Sequence, residues 1–247
     1  MKKSLLLVVC ALMFASFGFA EVSLSVSGGY TTFKMDQVNN DLTTRFNIAG
    51  YLPPWSSTKT LISGGYTIGG QLSYVTGAGL SFDLRAEYMV PNDGVLKYEN
   101  TLINQTITQT YMTNFVPLLG GLSFNAYLPG TPISIGASVA AGYGFANYLH
   151  ILKYVINDSV WSNDELRGSG GCFTYQGTGN IGYQLSKSMD LMINIGYRSA
   201  LVADLKADKT SGVFGSVQGE PIKDYNGDVM AFDFTGLIFQ LTLSNKF

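Results

Sequence analysis

The sequence predicts an all-β fold, a transmembrane up-and-down antiparallel β-barrel of eight strands. Of its 247 residues, 46% are hydrophobic and 13% aromatic, whereas only 13% are charged, about half the share of an average soluble domain. No run of about 18 apolar residues follows Ala20, so transmembrane helices are not expected. Instead, apolar residues alternate with small or polar ones along most of the chain, which is the period of a β-strand.

The charged and metal-binding residues exclude several functions. The 15 basic and 17 acidic residues leave no cationic excess, so nucleic acid is not an expected partner. One His and two Cys are too few for a metal cage or a disulfide framework. We therefore expect no cofactor and no metal.

Residues 1–20 have the pattern of a signal peptide. Two lysines precede an apolar stretch that ends with small residues up to Ala20. Cleavage is expected before Glu21, which leaves residues 21–247 as one barrel domain. The alternatives are a retained anchor helix, for which the apolar stretch is short, and a lipoprotein modified at Cys10, beyond which the apolar stretch continues.

Eight segments show the alternation, and short and long connections follow one another between them. The predicted strands cover residues 22–30, 62–74, 80–90, 118–128, 133–145, 173–185, 189–197 and 237–247. The short connections contain Gly, Pro and Ser, which favour tight turns. The long polar connections lie near residues 35–61, 91–114, 147–171 and 199–231. This arrangement is typical of an outer-membrane barrel with short periplasmic turns and four long extracellular loops.

The apolar faces of these segments distinguish a lipid-facing barrel from a soluble one. None of their positions is Asp, Glu, Lys or Arg, whereas the opposite faces are mostly Ser, Thr, Gly, Asn and Gln. A charge that faces lipid near the bilayer midplane costs roughly 2–4 kcal/mol, and a soluble barrel needs many charges on its exposed face. We therefore expect lipid to contact the apolar face and the interior to be polar.

The signal peptide, the eight segments and the last strand together resemble the small bacterial outer-membrane barrel proteins of the OmpA, OmpX and OmpW type. The resemblance identifies an assembly signal in the last strand, formed by Phe247, Leu243, Leu241 and Phe239. It implies a location in the outer membrane of a Gram-negative-type bacterium and contact with its lipids. It also implies periplasmic chaperones and the β-barrel assembly machinery as partners during biogenesis, but no particular activity.

The polar interior is the first candidate site. Its predicted polar network comprises Asp83, Arg85, Glu87, Gln176, Asn180, Gln184, Asn194 and Arg198. An eight-stranded barrel is just wide enough for its side chains to fill. We expect these residues to plug the barrel, with a narrow pore for small or apolar solutes as the alternative.

The long connections are the second candidate site, because binding residues are often held on loops by a rigid scaffold. Trp55 and Trp161 are candidate anchors for an unknown extracellular ligand, although packing between loops or contact with the membrane interface explains them equally well. Phe232 and Phe234 are out of phase with the last strand. We expect them above the membrane, with a bulge at Gly236 as the alternative.

Residues 224–228 begin like a calcium-binding loop. However, Val229 and Thr235 stand where such a loop needs its turn glycine and its closing carboxylate. The Asn-Gly pair inside this segment favours a tight hairpin turn instead.

A catalytic role is not expected. His150 is the only imidazole, lies near the predicted barrel rim, and has no serine beside it in the sequence that would form a nucleophilic pair. An outer-membrane lipid-modifying enzyme is the third alternative, after the pore. The expected function is a non-enzymatic envelope scaffold whose extracellular loops interact at the cell surface.

Overall fold

The computed structural model describes residues 21–50, 55–76, 79–210 and 218–247. The predicted signal peptide lies outside these residues. In chain order the elements are β1 (Glu21–Thr32), α1 (Asp36–Gly50), β2 (Ser56–Thr60), β3 (Gly64–Val75), β4 (Leu80–Pro91), β5 (Gly94–Asn100), β6 (Gln105–Tyr127), β7 (Ile133–Ile156), β8 (Ser159–Gln184), β9 (Met189–Ser199), β10 (Leu201–Val202), β11 (Lys206–Thr210), β12 (Phe232–Asp233) and β13 (Gly236–Lys246). No helix in the described ranges is long and apolar enough to span a membrane.

Eight of these strands close into a ring. Their hydrogen-bonded order is β1, β3, β4, β6, β7, β8, β9 and β13, and β13 pairs with β1. The closing pair is antiparallel and runs from Ser23 opposite Lys246 to Thr31 opposite Ile238. The predicted fold class, an eight-stranded up-and-down barrel, is therefore confirmed.

Alternation along the strands separates an apolar exterior from a polar interior. On the outside, Leu84, Val139 and Ile181 are exposed by 66%, 64% and 63%. On the inside, Ser138 and Thr178 are buried, and their hydroxyl oxygens lie 2.6 Å apart. Since hydrocarbon offers no partner for backbone amides, a closed ring is the arrangement of strands that suits such an exterior.

Aromatic side chains gather on the exterior at the upper end of the apolar band. The ring of Tyr143 lies 5.2 Å from that of Phe145 and 5.7 Å from that of Phe173. Such rings are typical of the interface between hydrocarbon and headgroups. We call these three residues the aromatic girdle and take it as the outer limit of the membrane-spanning segments.

Tight turns close the opposite end of the barrel. Backbone hydrogen bonds join Leu128 to Ile133 at 2.8 Å and Leu185 to Met189 at 2.9 Å across two of the turns. The amide of Phe247 donates to the carbonyl of Val22 at 2.9 Å. The first and last described residues therefore lie at this end, which is the periplasmic side of the predicted topology.

Two of the four long connections are hairpins and not irregular loops. β6, β7 and β8 continue well beyond the girdle, and β5 pairs with β6, so that residues 91–114 form an extended hairpin. Residues 147–171 belong to the hairpin β7–β8, which turns at Asn157 and Asp158. The expectation of polar loops in these two segments is corrected: together they form a sheet that projects from the barrel.

In this projecting sheet the inner face becomes apolar, whereas the outer face is polar on β8 and mixed on β7, where Leu149 and Ile151 face outward. Tyr111, Tyr148 and Leu166 face inward and are buried, whereas outward neighbours such as Thr108 and Arg167 are polar. Beyond the membrane the outer face meets water, so the apolar face turns inward. The strands are continuous across the girdle, but the apolar face changes there from the outer to the inner one.

Helix α1 and the fourth connection fill the space inside the projecting sheet. Val38 and Leu42, four residues apart on one helix face, are fully buried. Phe234, from the fourth connection, stacks on Phe115 with ring centroids 4.5 Å apart. Gly144 makes room for this stack, because a Cβ atom there would lie 2.0 Å from the Phe115 ring. We call the resulting cluster the outer core; its buried members are Phe33, Met35, Val38, Leu42, Ile62, Met89, Leu96, Tyr98, Tyr111, Phe115, Ala146, Tyr148, Leu166, Ala200, Val202, Leu205, Ala207, Ile222, Met230, Phe232 and Phe234.

We expect Leu84→Lys to lower the free energy of unfolding in lipid by roughly 2–4 kcal/mol, because a lysine at this outward position of β4 meets hydrocarbon. Urea unfolding in phosphatidylcholine vesicles measures the change. The matched control, Thr108→Lys, adds the same charge beyond the girdle and is expected to change the free energy by less than about 0.5 kcal/mol. Equal effects of the two substitutions would contradict the position assigned to the lipid-facing band.

Candidate functional site

A polar cavity of about 460 Å³ occupies the periplasmic half of the lumen. Serine is frequent in its wall, as at Ser23, Ser73, Ser123 and Ser244. The hydroxyl oxygens of Ser23 and Ser244 lie 2.7 Å apart, so they form a hydrogen bond across the closing strand pair. A wall of this kind suits water or a hydroxylated solute.

Three charged or polar side chains form a cluster at the periplasmic rim of this cavity. Lys246 donates from Nζ to Asp190 at 2.8 Å and to the Tyr127 hydroxyl oxygen at 2.9 Å. The Tyr127 hydroxyl donates to Asp190 at 2.8 Å. Gln184, a member of the predicted polar network, lies opposite Asp190 in the strand register. The structure therefore places Gln184 at the rim, away from the centre of the lumen.

A buried ion pair closes the centre of the lumen. Arg198 is fully buried, and Nη2 of its guanidinium donates to Glu87, which is 2% exposed. Arg198 also donates to Oε1 of Gln176, at 3.1 Å from Nε and 2.6 Å from Nη2. Arg198 is on β9 and Glu87 on β4, strands four places apart around the ring in either direction. Three predicted network residues therefore meet across the full width of the barrel.

Arg85 lies beside this central pair. Its Nε donates to Gln71 Oε1 at 3.0 Å, and its Nη1 is 4.0 Å from Glu87 Oε1. Because Asp83, Arg85 and Glu87 share one face of β4, each charge has possible partners along the strand and across the lumen. In the structure, the principal partner of Glu87 comes from across the lumen. Gln71 and the cross-lumen geometry were missed because a single sequence does not reveal which strands face each other.

The remaining predicted network residues lie apart from the central pair. Asp83 is buried, and neither carboxylate oxygen has a hydrogen-bond partner among the described residues. Asn194 donates to the Thr242 hydroxyl oxygen at 2.7 Å. Asn180 lines a void of about 40 Å³ that Arg85 also lines. The predicted polar network is thus divided. Glu87, Gln176 and Arg198 meet at the centre of the lumen, Gln184 lies at the rim, and the other members lie between or beside them.

A buried aspartate joins the elements that cover the lumen on the extracellular side. Asp41 on α1 is 3% exposed, and its Oδ2 accepts hydrogen bonds from Arg45 Nε at 2.8 Å and from the Tyr111 hydroxyl at 2.9 Å. Its Oδ1 accepts one from the backbone amide of Tyr225 at 2.7 Å. Sequence reasoning missed this hub, although the spacing of Asp41 and Arg45 is that of an ion pair on a helix.

His150 is buried inside the projecting sheet and does not lie at an open rim as expected. It is 3% exposed, and its ring stacks on Tyr111 with centroids 4.1 Å apart. Burial, and secondarily the positive charge of Arg45, lowers the pKa of His150 to about 3. Burial likewise raises the pKa of Tyr98 to about 12. His150 is therefore a neutral member of a packed aromatic cluster.

The segment that begins like a calcium loop forms a tight turn. Gly227 has a φ of 88°, and the amide of Asp224 donates to the carbonyl of Asp228 at 2.8 Å. Oδ1 of Asp224 accepts the amides of Asn226 and Asp228, each at 2.9 Å. No group of three or more His, Cys, Asp or Glu side chains suited to a metal ion occurs in the part of the chain that the structure describes.

The two candidate aromatic anchors have different surroundings. Trp55 is partly buried against the outer core. Trp161 is 73% exposed on β8, at the far end of the projecting sheet. In the last strand, Phe239 and Leu241 face outward. Phe247 follows at the periplasmic rim and is 75% exposed.

Comparison with solved structures finds similar folds in outer-membrane proteins. A major outer membrane protein from Thermus thermophilus is 11% identical, with a TM-score of 0.47 over 93% of this chain and 100% of that chain. OprG from Pseudomonas aeruginosa is 10% identical, with a TM-score of 0.41 over 93% and 98%. Neisserial surface protein A is 9% identical, with a TM-score of 0.35 over 93% and 99%. No protein family and no curated protein matches the sequence.

Glu87→Gln is expected to lower the free energy of unfolding by about 3 kcal/mol or more, because it leaves the charge of Arg198 buried without its partner. Adding Arg198→Met is expected to restore part of the loss, since the double variant buries no unpaired charge. The control is Glu99→Gln, which breaks the exposed pair of Lys97 and Glu99 and is expected to cost less than about 1 kcal/mol. Urea unfolding that finds equal losses for Glu87→Gln and the control would contradict the role of the central pair.

Acidification is expected to destabilise the outer core through His150. The neutral imidazole is favoured in the folded state, so between pH 6.5 and about 3 the unfolded state binds more protons and stability falls as the pH falls. From pH 7 to pH 5 the contribution of His150 is a loss of roughly 2 kcal/mol. His150→Phe is expected to remove this part of the pH dependence, whatever its effect at pH 7. The free energy of unfolding in urea is measured against pH for the wild type and for His150→Phe. Parallel curves would contradict the assignment of this pH dependence to His150.

Proposed function

We propose that the chain is an integral outer-membrane β-barrel with a non-enzymatic role, which holds a rigid extracellular surface for interaction at the cell surface. The observation that carries this proposal is the filling of the extracellular half of the barrel. There the strands continue as a projecting sheet, and the outer core occupies the space that an open channel needs. The polar hub at Asp41 ties the helix and the fourth connection to this sheet.

The environment of His150 supports a non-enzymatic role. A lipid-modifying enzyme of this fold needs a nucleophile and a histidine base that a lipid substrate reaches. His150 faces the interior of the projecting sheet, is stacked on Tyr111, and is 3% exposed. Its lowered pKa makes it a weak base at neutral pH.

A narrow pore is the second candidate function, and the polar cavity of about 460 Å³ at the periplasmic end favours it. On its extracellular side, however, the lumen contains the buried pair of Arg198 and Glu87, and beyond that pair the outer core. A continuous path would require both barriers to move. The cavity is therefore a vestibule that is closed on its extracellular side.

We also propose how the chain reaches the outer membrane and assembles there. The signal peptide is removed before Glu21, and the last strand, with Phe239, Leu241, Leu243 and Phe247, is recognised by the β-barrel assembly machinery. The alternating outward positions of the first three residues support this role, since they form one apolar stripe.

Wild-type protein in planar lipid bilayers is expected to show no discrete conductance steps, because both barriers close the lumen. Phe234→Ala combined with Glu87→Ala removes part of each barrier and is expected to give transient openings if it remains folded. Folding is checked by heat-dependent mobility in gel electrophoresis. Steady conductance of the wild type that is abolished by Arg85→Ala would overturn the proposal and establish the pore function.

A further inference from the structure

Two hairpin tips lie side by side at the outermost point of the projecting sheet. The hairpin β5–β6 turns through residues 101–104, and the hairpin β7–β8 turns at Asn157 and Asp158. The backbone amide of Asn157 donates to the carbonyl of Asn104 at 2.9 Å, and Gln105 pairs with Ile156 directly below. The two tips are therefore joined into one structure.

The backbone of the tips has a defined shape. Asn104, Asn157 and Asp158 have φ values of 45°, 48° and 62°, a region that Asn and Asp tolerate better than most residues. Positive φ at both central residues of a two-residue hairpin is the geometry that matches the twist of the strands. The backbone of the β7–β8 tip is thus a tight two-residue turn.

Four apolar side chains project from these tips into solvent. Leu102 is exposed by 77%, Ile103 by 50%, Val160 by 57% and Trp161 by 73%. They lie on the two joined tips, and together we call them the apolar tip. Exposed apolar groups that adjoin one another on rigid elements mark sites of contact with a protein or a membrane.

Trp161 owes its exposure to an irregularity in the strand pairing. Val155 pairs with Val160 and Tyr154 with Ser162, so Trp161 is an extra residue without a partner on β7. Such a β-bulge changes the direction of a side chain. The bulge therefore accounts for an indole that leaves the sheet at its tip.

The membrane that holds the barrel does not cover the apolar tip. Ile156 lies eleven residues beyond Phe145 of the girdle, which is roughly 35 Å along a strand and about 25 Å in height at the usual tilt. The headgroup layer adds only about 6 Å on each side of the hydrocarbon. The tip therefore stands clear of its own bilayer, and another surface is needed to bury it.

We propose that the apolar tip inserts into the interface of a second lipid bilayer that faces the cell. This inference rests on the proposed interaction function and names its partner. The tip exposes apolar area on the order of 500 Å², below the ~800 Å² per partner of a standard protein–protein interface. The tip also carries a tryptophan, a residue that is enriched at the level of lipid headgroups.

The charges around the tip indicate the kind of bilayer. Residues 101–104 and 159–162 contain no charged side chain. The nearby acids are Glu99, Asp158 and Asp164, and the nearby bases are Lys97 and Lys153. Since anionic surfaces attract clusters of basic residues, this excess of acid favours a zwitterionic bilayer over an anionic one.

Tryptophan fluorescence tests the proposal directly. Trp55→Phe leaves Trp161 as the only tryptophan of the chain, and this variant is placed in nanodiscs of ordinary lipid. Vesicles of phosphatidylcholine with brominated acyl chains are then added, and insertion of Trp161 is expected to quench its fluorescence by about half, because an interfacial indole lies next to the acyl chains. Vesicles containing phosphatidylserine are expected to quench less.

Two control variants separate insertion from chance contact. Trp161→Phe, which keeps only the partly buried Trp55, is expected to show no quenching. Trp55→Phe with Leu102→Ser and Val160→Ser keeps the reporter and removes apolar area from the tip, so it is expected to lose most of the quenching. Undiminished quenching in this last variant, or stronger quenching by the anionic vesicles, would overturn the proposal.

The outcomes also separate this inference from the function on which it rests. An unquenched Trp161 in protein that is silent in planar bilayers overturns the lipid partner, leaves the closed scaffold standing, and makes a protein the partner to seek. Steady conductance overturns the scaffold function, whatever the fluorescence shows.

Discussion

The pairing of β1 with β13 is the constraint on which the rest of the structure depends. An amide left unpaired in hydrocarbon costs several kcal/mol, so a sheet with this apolar exterior has to close. Closure with eight strands fixes a narrow lumen. In that lumen, side chains from opposite walls are within reach of one another, and Arg198 on β9 pairs with Glu87 on β4. The central ion pair is thus a direct consequence of the number of strands.

The same ion pair marks the change from a polar to an apolar interior. On its periplasmic side lies the serine-rich cavity, whose wall is polar. On its other side lies the outer core, and Arg198 contacts the sulfur of Met89, which belongs to that core. Because the pair is shielded from water on that side, the two charges depend on each other for stabilisation, and Arg198 depends also on Gln176.

The membrane-spanning half could be predicted from the sequence because lipid imposes one rule on every strand, an uncharged outer face with a period of two. In the projecting hairpins the inner face is apolar because the outer core lies inside them, whereas the outer face is mixed. Along residues 147–156 apolar side chains occur on both faces of β7, with Tyr148 and His150 inward and Leu149 and Ile151 outward, so no period of two marks this segment. The contact of Arg198 with Glu87 and the hub at Asp41 join residues far apart in the chain, and no local pattern encodes them.

Because the extracellular surface is built from paired strands, its backbone is rigid before it binds a partner, whereas long loops are flexible. A flexible loop loses conformational entropy when it binds, typically about 0.5–1.5 kcal/mol for each side chain that becomes fixed. Here the pairing of β7 with both β6 and β8 fixes the backbone in advance. Tyr111 connects that sheet to the interior, because it stacks on His150 and donates to Asp41. The core that closes the lumen is therefore the same core that holds the projecting sheet rigid, so closure of the barrel and preorganisation of its outer surface have one physical origin.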